Sequence, residues 1–263
     1  MKLSDAIFTL WRRLGRRLGI QPLDDVRRFS VAPSDIDDAE RQRTDMHRAF
    51  YRTNGPQVFK WGHYLSLYDR HLSRIRSGKK PVRLLEIGVS KGGSLRLWRE
   101  YFGQDAIIFG IDLDPRCAKL DGLSGRVRIG SQADGAFLKT VVAEMGGVDV
   151  VVDDGSHIAQ HQIASFETLF SLLSDDGIYI CEDLHASYWR GKFMGGYRRR
   201  STFMEFAKNI VDDMHADFHS HGQGLKNAHR LIDGIHFYNS LVVIEKGPQD
   251  RPRSIRIGTE NLW

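Results

Sequence analysis

Short apolar runs alternate with amphipathic stretches along much of the chain from residue 81 onwards. The apolar runs predict five strands, at residues 82–87, 107–111, 127–129, 148–152 and 178–181. Between them, apolar residues recur at helical spacing and predict helices at 94–102, 133–145 and 159–173. Strands and helices that alternate in this way form a mostly parallel sheet covered on both faces. We therefore predict an α/β fold.

A hairpin and a helical extension complete the pattern. Residues 235–238 and 241–245 are apolar runs on either side of Asn239-Ser240, which predicts a C-terminal antiparallel hairpin. Residues 1–20 combine arginines and apolar residues at helical spacing and predict a basic amphipathic helix. This helix packs on its own domain or on a second subunit of a homo-oligomer, or it lies on a membrane surface; both interpretations stay open. We assign 1–55 to an N-terminal helical extension and connector, with a short helix around 35–51, and 56–263 to the main domain.

The composition is that of an ordinary globular protein, with 41% hydrophobic and 27% charged residues among 263. No apolar run approaches the roughly 20 residues that cross a bilayer, and no secretory signal is evident, so we expect a cytoplasmic location, with peripheral membrane contact as the variant. The two cysteines, Cys117 and Cys181, lack metal-binding spacing. The net charge of +5 permits anionic partners, but no nucleic-acid-binding motif accompanies it. We expect no nucleic-acid partner.

A loop containing several glycines follows the first predicted strand. Its sequence, EIGVSKGGS, runs from Glu86 to Ser94. Gly88 and Gly92 let a ligand approach the backbone beside a helix N-terminus, where free N–H groups attract polar atoms. The loop matches neither the phosphate-binding GxxxxGK(S/T) pattern nor GxGxxG, so by itself it identifies no ligand.

Acidic residues also follow the second and third strands. Asp112 ends the second strand, where a carboxylate can accept hydrogen bonds from both ribose hydroxyls of an adenosine cofactor. Gln132 and Asp134 follow the third strand and can hold an adenine amino group. For each acid, helix capping or a turn is the alternative role. Together these residues form a row of the size of one ligand along the sheet edge.

The fourth and fifth strands both end in acids followed by a histidine. They read Asp153-Asp154-Gly155-Ser156-His157 and Glu182-Asp183-Leu184-His185. Neighbouring parallel strands lie about 4.8 Å apart, so four carboxylates converge at one edge. Such crowding favours a compensating cation, and carboxylate oxygens suit Mg²⁺ or Mn²⁺. The alternative is that Asp153 caps a helix and Glu182 pairs with an arginine.

These motifs resemble those of class I S-adenosylmethionine-dependent methyltransferases over about residues 82–247. The resemblance implies a Rossmann-like sheet, mostly parallel, with the C-terminal antiparallel hairpin. It also implies that S-adenosylmethionine contacts a row of residues at the sheet edge: Glu86, Gly88, Gly92, Ser94, Asp112, Gln132, Asp134 and Asp153.

Longer stretches, VVDDGSHIAQHQIASFETLF and GIYICEDLHASYW, are similar to the metal-dependent sugar O-methyltransferases of the macrocin and mycinamicin type, a family related to the cephalosporin hydroxylase-like group. Residues 60–64, Tyr68 and 236–238 also resemble stretches of that family. The resemblance implies that Mg²⁺ is held by Asp154, Glu182 and Asp183. It further implies that His157 is the catalytic base.

The implied function is Mg²⁺-dependent transfer of a methyl group from S-adenosylmethionine to a hydroxyl of a saccharide or glycosylated metabolite, as in natural-product or polysaccharide biosynthesis. Tyr188, Trp189 and His185 are the candidate substrate contacts, because they lie in or beside a loop whose aromatic residues can stack on a sugar ring. Two alternatives stay open: an O-methyltransferase for a catechol or other small diol, and a non-catalytic S-adenosylmethionine-binding protein. The crowded carboxylates argue against the second.

Overall fold

Seven strands form one mixed sheet in the computed structural model, which describes residues 31–78, 81–218 and 231–258. The strands are β1 (Arg83–Ile87), β2 (Ile107–Asp112), β3 (Arg126–Ile129), β4 (Val148–Asp153), β5 (Leu173–Cys181), β6 (Ile232–Tyr238) and β7 (Leu241–Lys246). Their order is β3-β2-β1-β4-β5-β7-β6. The first five are parallel, and β7 pairs antiparallel with both β5 and β6. The predicted parallel sheet and closing hairpin are confirmed.

Helices cover both faces of the sheet. They are α2 (Asp45–Arg52), α3 (Gly62–Arg76), α4 (Gly93–Phe102), α5 (Gly135–Met145), α6 (Ala159–Leu172) and α7 (Phe203–Met214); a short helix, α1 (Asp38–Gln42), precedes them in the chain. Successive strand residues such as Leu84 and Leu85 point to opposite faces, so the sheet separates two apolar cores. One core joins α5, α6 and α7, and the other joins α2, α3 and α4.

The chain divides into two compact units, Met1–Glu40 and Arg41–Trp263. In the smaller unit the structure describes residues 31–40, which include a 3₁₀ turn at Pro33–Asp35. The helix predicted at 1–20 lies outside the described residues. Helix α2 falls within the predicted extension 1–55 and lies in the larger unit, where Met46 and Ala49 are buried. The boundary at residue 55 stays a prediction. Among the described residues, no helix has the length and hydropathy needed to cross a bilayer.

Two helices and part of one strand were not predicted. Helices α3 and α7 lie in stretches where charged and apolar residues mix, and each buries an apolar face against the sheet. Strand β5 begins at Leu173, within the helix predicted at 159–173, because Leu173 pairs with Val148 before a register shift. The polar residues 174–176 of this strand hide it from a search for apolar runs.

The carboxyl ends of β1, β2, β4 and β5 meet at one edge of the sheet. Ile87 pairs with Ile111 on one side and with Asp153 on the other, and Asp153 pairs with Cys181. The loops that leave these strands therefore lie side by side. In parallel α/β sheets this edge is where ligands bind.

Candidate active site

The loop after β1 has a backbone that requires glycine at two positions. Gly88 has φ +94°, and a Cβ there would lie 2.2 Å from the carbonyl oxygen of Asp154. Gly92 has φ +82° in the left-handed region and immediately precedes α4, where a Cβ would lie 2.9 Å from the Leu120 side chain. The loop after β1 is thus packed directly against the loop after β4, and the backbone of Gly88 lies at the wall of the cleft between them.

Glu86 lies beneath this loop rather than on the surface of the cleft. Its fully buried carboxylate accepts hydrogen bonds from Ser94 Oγ at 2.7 Å and from Trp98 Nε1 at 3.1 Å. Burial raises the pKa of Glu86 to about 7, although the nearby Lys60 ammonium opposes the shift. Glu86 therefore anchors α4 to β1, while Ser94 also lines the cleft.

Asp112, at the end of β2, is half-buried and borders the cleft. One carboxylate oxygen accepts a hydrogen bond from the backbone N–H of Ser90 and the other from that of Asp114, both at 2.8 Å. A carboxylate oxygen can accept more than one hydrogen bond, so Asp112 can bind the glycine loop and a ligand together.

Gln132 joins the loops after β3 and β4. Its side-chain amide donates to Asp153 at 3.0 Å, and its carbonyl oxygen accepts from the backbone N–H of Ser156 at 2.8 Å. Asp153 is fully buried and also accepts from Ser165 and Tyr179. Burial raises the pKa of Asp153 despite these donors. Gln132 borders the cleft, whereas Asp153 is buried beneath it, and the cofactor contacts of both stay predictions.

Asp134 has the alternative role that the sequence allowed. It is the N-cap of α5, where its carboxylate accepts hydrogen bonds from the backbone N–H groups of Ala136 and Phe137. These bonds satisfy donors that the first turn of a helix leaves unpaired. Asp134 does not line the cavity that contains Gln132. The structure therefore shows Asp134 as a helix cap, and its contact with adenine stays a prediction.

The cleft at this edge consists of two adjoining cavities. The smaller, of about 160 Å³, lies between Asp112, Gln132 and the backbone of residues 87–88 and 155–156. The larger, of about 440 Å³, extends past the glycine loop to Lys60, Asp154, His157 and Asp183. Gly88, Asp112 and Gly155 border both cavities. An elongated ligand can thus occupy both without crossing a wall.

Asp154, His157 and Asp183 come together in the larger cavity. His157 Nε2 lies 3.9 Å from Asp154 Oδ1 and 3.9 Å from Asp183 Oδ2. One ligand atom from each of the three lies within 4.8 Å of the other two. His157 and Asp183 both have φ +54°, a left-handed conformation that turns each side chain back over its own strand end. The predicted convergence of these strand-end residues is confirmed for this trio.

Glu182 lies next to this trio but has different partners. Both of its oxygens accept hydrogen bonds from Lys60 Nζ, at 2.9 and 3.1 Å, and Oε1 also accepts from the Tyr68 hydroxyl. Its carboxylate is buried, and burial raises its pKa while Lys60 opposes the shift. Glu182 pairs with a lysine, not with the arginine that the sequence suggested. The expected ligand thus holds an ammonium group in this structure.

Lys60 is a charged residue of this site that sequence reasoning missed. Its Nζ lies 2.7 Å from Asp154 Oδ2, 2.9 Å from Glu182 and 4.0 Å from Glu86. Burial lowers the pKa of Lys60, but attraction to the three carboxylates outweighs burial and raises it. Its only signal in the sequence was the family-like stretch 60–64, which assigned no role to any residue.

Aromatic groups from that stretch and from α3 hold Asp183. The indole of Trp61 and the hydroxyl of Tyr64 donate to Asp183 Oδ1 at 3.0 and 3.1 Å. The other oxygen, Oδ2, is the one that faces His157. Sequence reasoning could not place either aromatic residue, because helix α3 was not predicted.

His185 and the following loop form an aromatic wall beside the site. The His185 ring packs against Trp189 at 4.5 Å, and Phe193 joins Trp189 to His157, with ring centres 5.8 and 6.3 Å apart. His185 Nδ1 is hydrogen-bonded to Ser240, and burial lowers the pKa of this imidazole. Tyr188 is 44% exposed. The substrate contacts predicted for Tyr188, Trp189 and His185 stay predictions.

Known proteins share both this fold and this site region. Residues 85–184 match the family described as Methyltransferase domain. A tetracenomycin-pathway enzyme of Streptomyces olivaceus, 8-demethyl-8-(2-methoxy-alpha-L-rhamnosyl)-tetracenomycin-C 3'-O-methyltransferase, is 38% identical over 203 residues, which cover 72% of this chain and 51% of that protein. Demethylmacrocin O-methyltransferase of Streptomyces fradiae is 35% identical, with 72% and 50% covered.

A solved structure of a methyltransferase is also similar to this chain. The MycE methyltransferase of the mycinamycin biosynthetic pathway, in complex with Mg, SAH and mycinamycin VI, superposes with a TM-score of 0.69 and 32% identity, covering 78% of this chain and 54% of that one. The fold is thus that of a class I methyltransferase, and residues 85–184 match a methyltransferase domain. Within that class, the chain resembles the sugar O-methyltransferases of the macrocin and mycinamicin type, and it spans about half the length of the curated relatives it matches.

Proposed function

We propose that this protein transfers a methyl group from S-adenosylmethionine to a hydroxyl of a saccharide or glycosylated metabolite, with Mg²⁺ bound at the acceptor side. The observation that carries the proposal is that Asp154, His157 and Asp183 share one cleft with the glycine loop and Asp112. A cofactor in that cleft has its reactive end beside a base and two carboxylates.

The cofactor is assigned to the two adjoining cavities. Its adenosyl part lies in the smaller cavity, with the ribose at Asp112 and the base near Gln132. Its methionyl part follows the backbone of Gly88 and reaches Ser94 in the larger cavity. Gly92 and Glu86 support the loop, and Asp134 and Asp153 act through the helix cap and the buried hydrogen bonds described above.

The donor set fits Mg²⁺. Asp154 Oδ1 and Asp183 Oδ2 both face His157, while their other oxygens are held by Lys60, Trp61 and Tyr64. Three carboxylates, Asp154, Glu182 and Glu86, lie within 4.0 Å of the Lys60 ammonium group, and Asp183 lies beside His157. Carboxylates therefore outnumber the one ammonium group, and hard oxygen ligands are those that Mg²⁺ and Mn²⁺ prefer. Asp154 and Asp183 are the direct ligands in this proposal. Glu182 becomes the third when the Lys60 ammonium moves away from it.

His157 is the proposed base. Its Nε2 accepts the proton of the acceptor hydroxyl as the oxygen attacks the methyl carbon and the bond from that carbon to the sulfonium sulfur breaks. The products are a methyl ether and S-adenosylhomocysteine. When bound, Mg²⁺ lowers the pKa of the hydroxyl and orients the acceptor. Asp154 Oδ1 and Asp183 Oδ2 flank His157 Nε2, each at 3.9 Å.

The acceptor is proposed to be glycosylated because the wall formed by Trp189, His185 and Phe193 offers a ring-stacking surface next to His157. The relatives named above are sugar O-methyltransferases. A catechol or other small diol is the alternative acceptor. A homo-oligomer, a cytoplasmic location and membrane contact through residues 1–20 stay predictions from the sequence.

A methyl-transfer assay tests the proposal. The full chain is incubated with methyl-labelled S-adenosylmethionine and glycosylated or catechol acceptors, in Mg²⁺ or in EDTA, and products are identified by mass spectrometry. We expect methyl ethers of the glycosylated acceptors in Mg²⁺ only, and loss of turnover in Asp154→Asn. The exposed Asp175→Asn is the matched control. Turnover in EDTA would remove the metal from the proposal. Cofactor binding without turnover of any acceptor would favour the non-catalytic alternative.

A further inference from the structure

We propose a second metal site, for Zn²⁺ or a similar transition-metal ion, formed by His71, His236 and Glu245. These residues lie where helix α3 crosses the hairpin of β6 and β7, and none of them lines the cleft described above. Among the described residues, two groups of at least three metal-ligating side chains come within coordinating reach, and this is the one outside the candidate active site.

The spacing of the three side chains suits one ion. His71 Nδ1 lies 3.0 Å from Glu245 Oε1, and His236 Nε2 lies 3.4 Å from Glu245 Oε2. A tetrahedral ion with bonds of about 2.0–2.1 Å holds neighbouring ligand atoms about 3.3 Å apart. The observed distances therefore need little adjustment to admit an ion. Two imidazoles and one carboxylate form a donor set that Zn²⁺ prefers and Mg²⁺ does not.

Two further features point to a ligand. The remaining nitrogen of His71, Nε2, is hydrogen-bonded to the Tyr238 hydroxyl at 2.9 Å. In this structure Nδ1–H donates to the Glu245 carboxylate, and Nε2 accepts from the Tyr238 hydroxyl. An ion at Nδ1 would require the other tautomer, in which Nε2–H donates to the Tyr238 oxygen, as outer-shell hydrogen bonds do in known sites. The second feature is Gly234, where a Cβ would lie 3.2 Å from His236 Nε2 and 3.6 Å from Glu245 Oε2. Glycine keeps open the approach to these two ligand atoms.

The exposure of the three side chains shows which side of the proposed metal site faces solvent. The side chains of His71 and Glu245 are 5% and 18% exposed, whereas that of His236 is 40% exposed, so the site opens towards solvent on the His236 side. Arg74 Nη2 lies 3.8 Å from Glu245 Oε1, and Nη1 of the same side chain donates to the carbonyl oxygen of Asp176. Arg74 is 46% exposed and can turn to solvent when an ion binds.

The consequence of metal binding concerns helix α3. The same helix carries Tyr64 and Tyr68, whose hydroxyl groups donate to Asp183 and Glu182. An ion at His71, His236 and Glu245 joins α3 to the hairpin and fixes that helix relative to the sheet. The proposed role of the site is thus structural.

Metal binding by the full chain tests the proposal without an activity assay. Protein stripped with a chelator is dialysed against Zn²⁺ in excess Mg²⁺, in an Asp154→Asn background that disables the other group. His236→Ala is compared with His215→Ala, a control in which the lost histidine lies at the end of α7 and is bonded to the backbone of Val211. Circular dichroism verifies that each variant is folded.

We expect Zn²⁺ to bind to the Asp154→Asn chain, and His236→Ala to weaken that binding by about 100-fold or more, because one of three ligands is lost. His215→Ala should leave the affinity unchanged. X-ray absorption should report two imidazole ligands and a carboxylate. Equal Zn²⁺ affinity with and without His236, or no binding by the Asp154→Asn chain, would reduce the cluster to a hydrogen-bonded triad. Either outcome leaves the proposed methyl transfer untouched.

Discussion

Replacing Lys60 by methionine tests whether the Lys60 ammonium group compensates the negative charge of the buried carboxylates. Methionine keeps most of the length of the lysine side chain and removes only its charge and hydrogen bonds. The Lys60 ammonium lies 2.7, 2.9 and 4.0 Å from Asp154, Glu182 and Glu86. At an effective dielectric constant of about 20, each of these pairs attracts by roughly 4–6 kcal/mol, and the desolvation of the buried groups offsets most of that attraction.

The net effect is smaller than this gross attraction but still large. Removing one partner of a buried ion pair costs about 3–5 kcal/mol, because the remaining charge is left uncompensated. We therefore expect Lys60→Met to lower the free energy of unfolding in EDTA by about 3–5 kcal/mol. Uptake of a proton by Glu182, whose pKa burial already raises, limits the loss.

Urea unfolding in EDTA and in Mg²⁺ provides the measurement. Mg²⁺ should stabilise Lys60→Met more than the wild type, because the freed carboxylates of Asp154 and Glu182 gain a cation in place of the ammonium group. Lys91→Met is the matched control, since Lys91 is exposed at the same cleft. If Lys60→Met is as stable as the wild type in EDTA, the Lys60 ammonium group does not compensate the buried carboxylates. Equal stabilisation of both proteins by Mg²⁺ would refute the competition between Lys60 and the metal.

Three further changes test the other parts of the site. His157→Ala should lower kcat by roughly 10²–10⁴-fold with little effect on cofactor affinity. His185→Ala should lower kcat by a smaller factor. If His185→Ala lowers kcat more than His157→Ala in parallel assays at saturating cofactor, the base is His185. Asp112→Ala should weaken S-adenosylmethionine binding by about 1–3 kcal/mol in calorimetry, because ribose and loop N–H groups lose a charged acceptor, and unchanged affinity would remove Asp112 from the cofactor site. The pKa of Glu86 rises on folding from 4.5 to about 7. The folded protein is therefore most stable with respect to this group below pH 4.5, where Glu86 is protonated, and loses that stability as the pH rises through 7. Urea unfolding at pH 5 and at pH 8 gives the fall in the free energy of unfolding between the two pH values. We expect this fall to be smaller in Glu86→Gln than in the wild type by roughly 2–3 kcal/mol. An equal fall in both proteins would contradict the raised pKa of Glu86.

The order of strands and helices was largely determined by local sequence. Apolar runs of strand length and stretches of helical periodicity record which residues face the core, and that record is read within a few neighbouring residues. The glycines at 88 and 92 were predictable for the same reason, because a turn between a strand and a helix limits the backbone locally. Even the convergence of Asp154 and Asp183 followed from the rule that parallel strands end at one edge.

Tertiary structure alone decided which side chain meets which. Asp153 and Asp154 are adjacent in sequence, yet one is buried among Gln132, Ser165 and Tyr179 and the other faces the cleft. Successive residues leaving a strand point in opposite directions, and their partners come from other strands and helices.

The place of Lys60 illustrates the same limit. It contacts Asp154 and Glu182, which are 94 and 122 residues away along the chain. Hydrophobic periodicity records burial but carries no information about a distant partner, so a charged residue before an unpredicted helix looks like a solvated one. Its burial depends on carboxylates that only the folded sheet brings to the same edge.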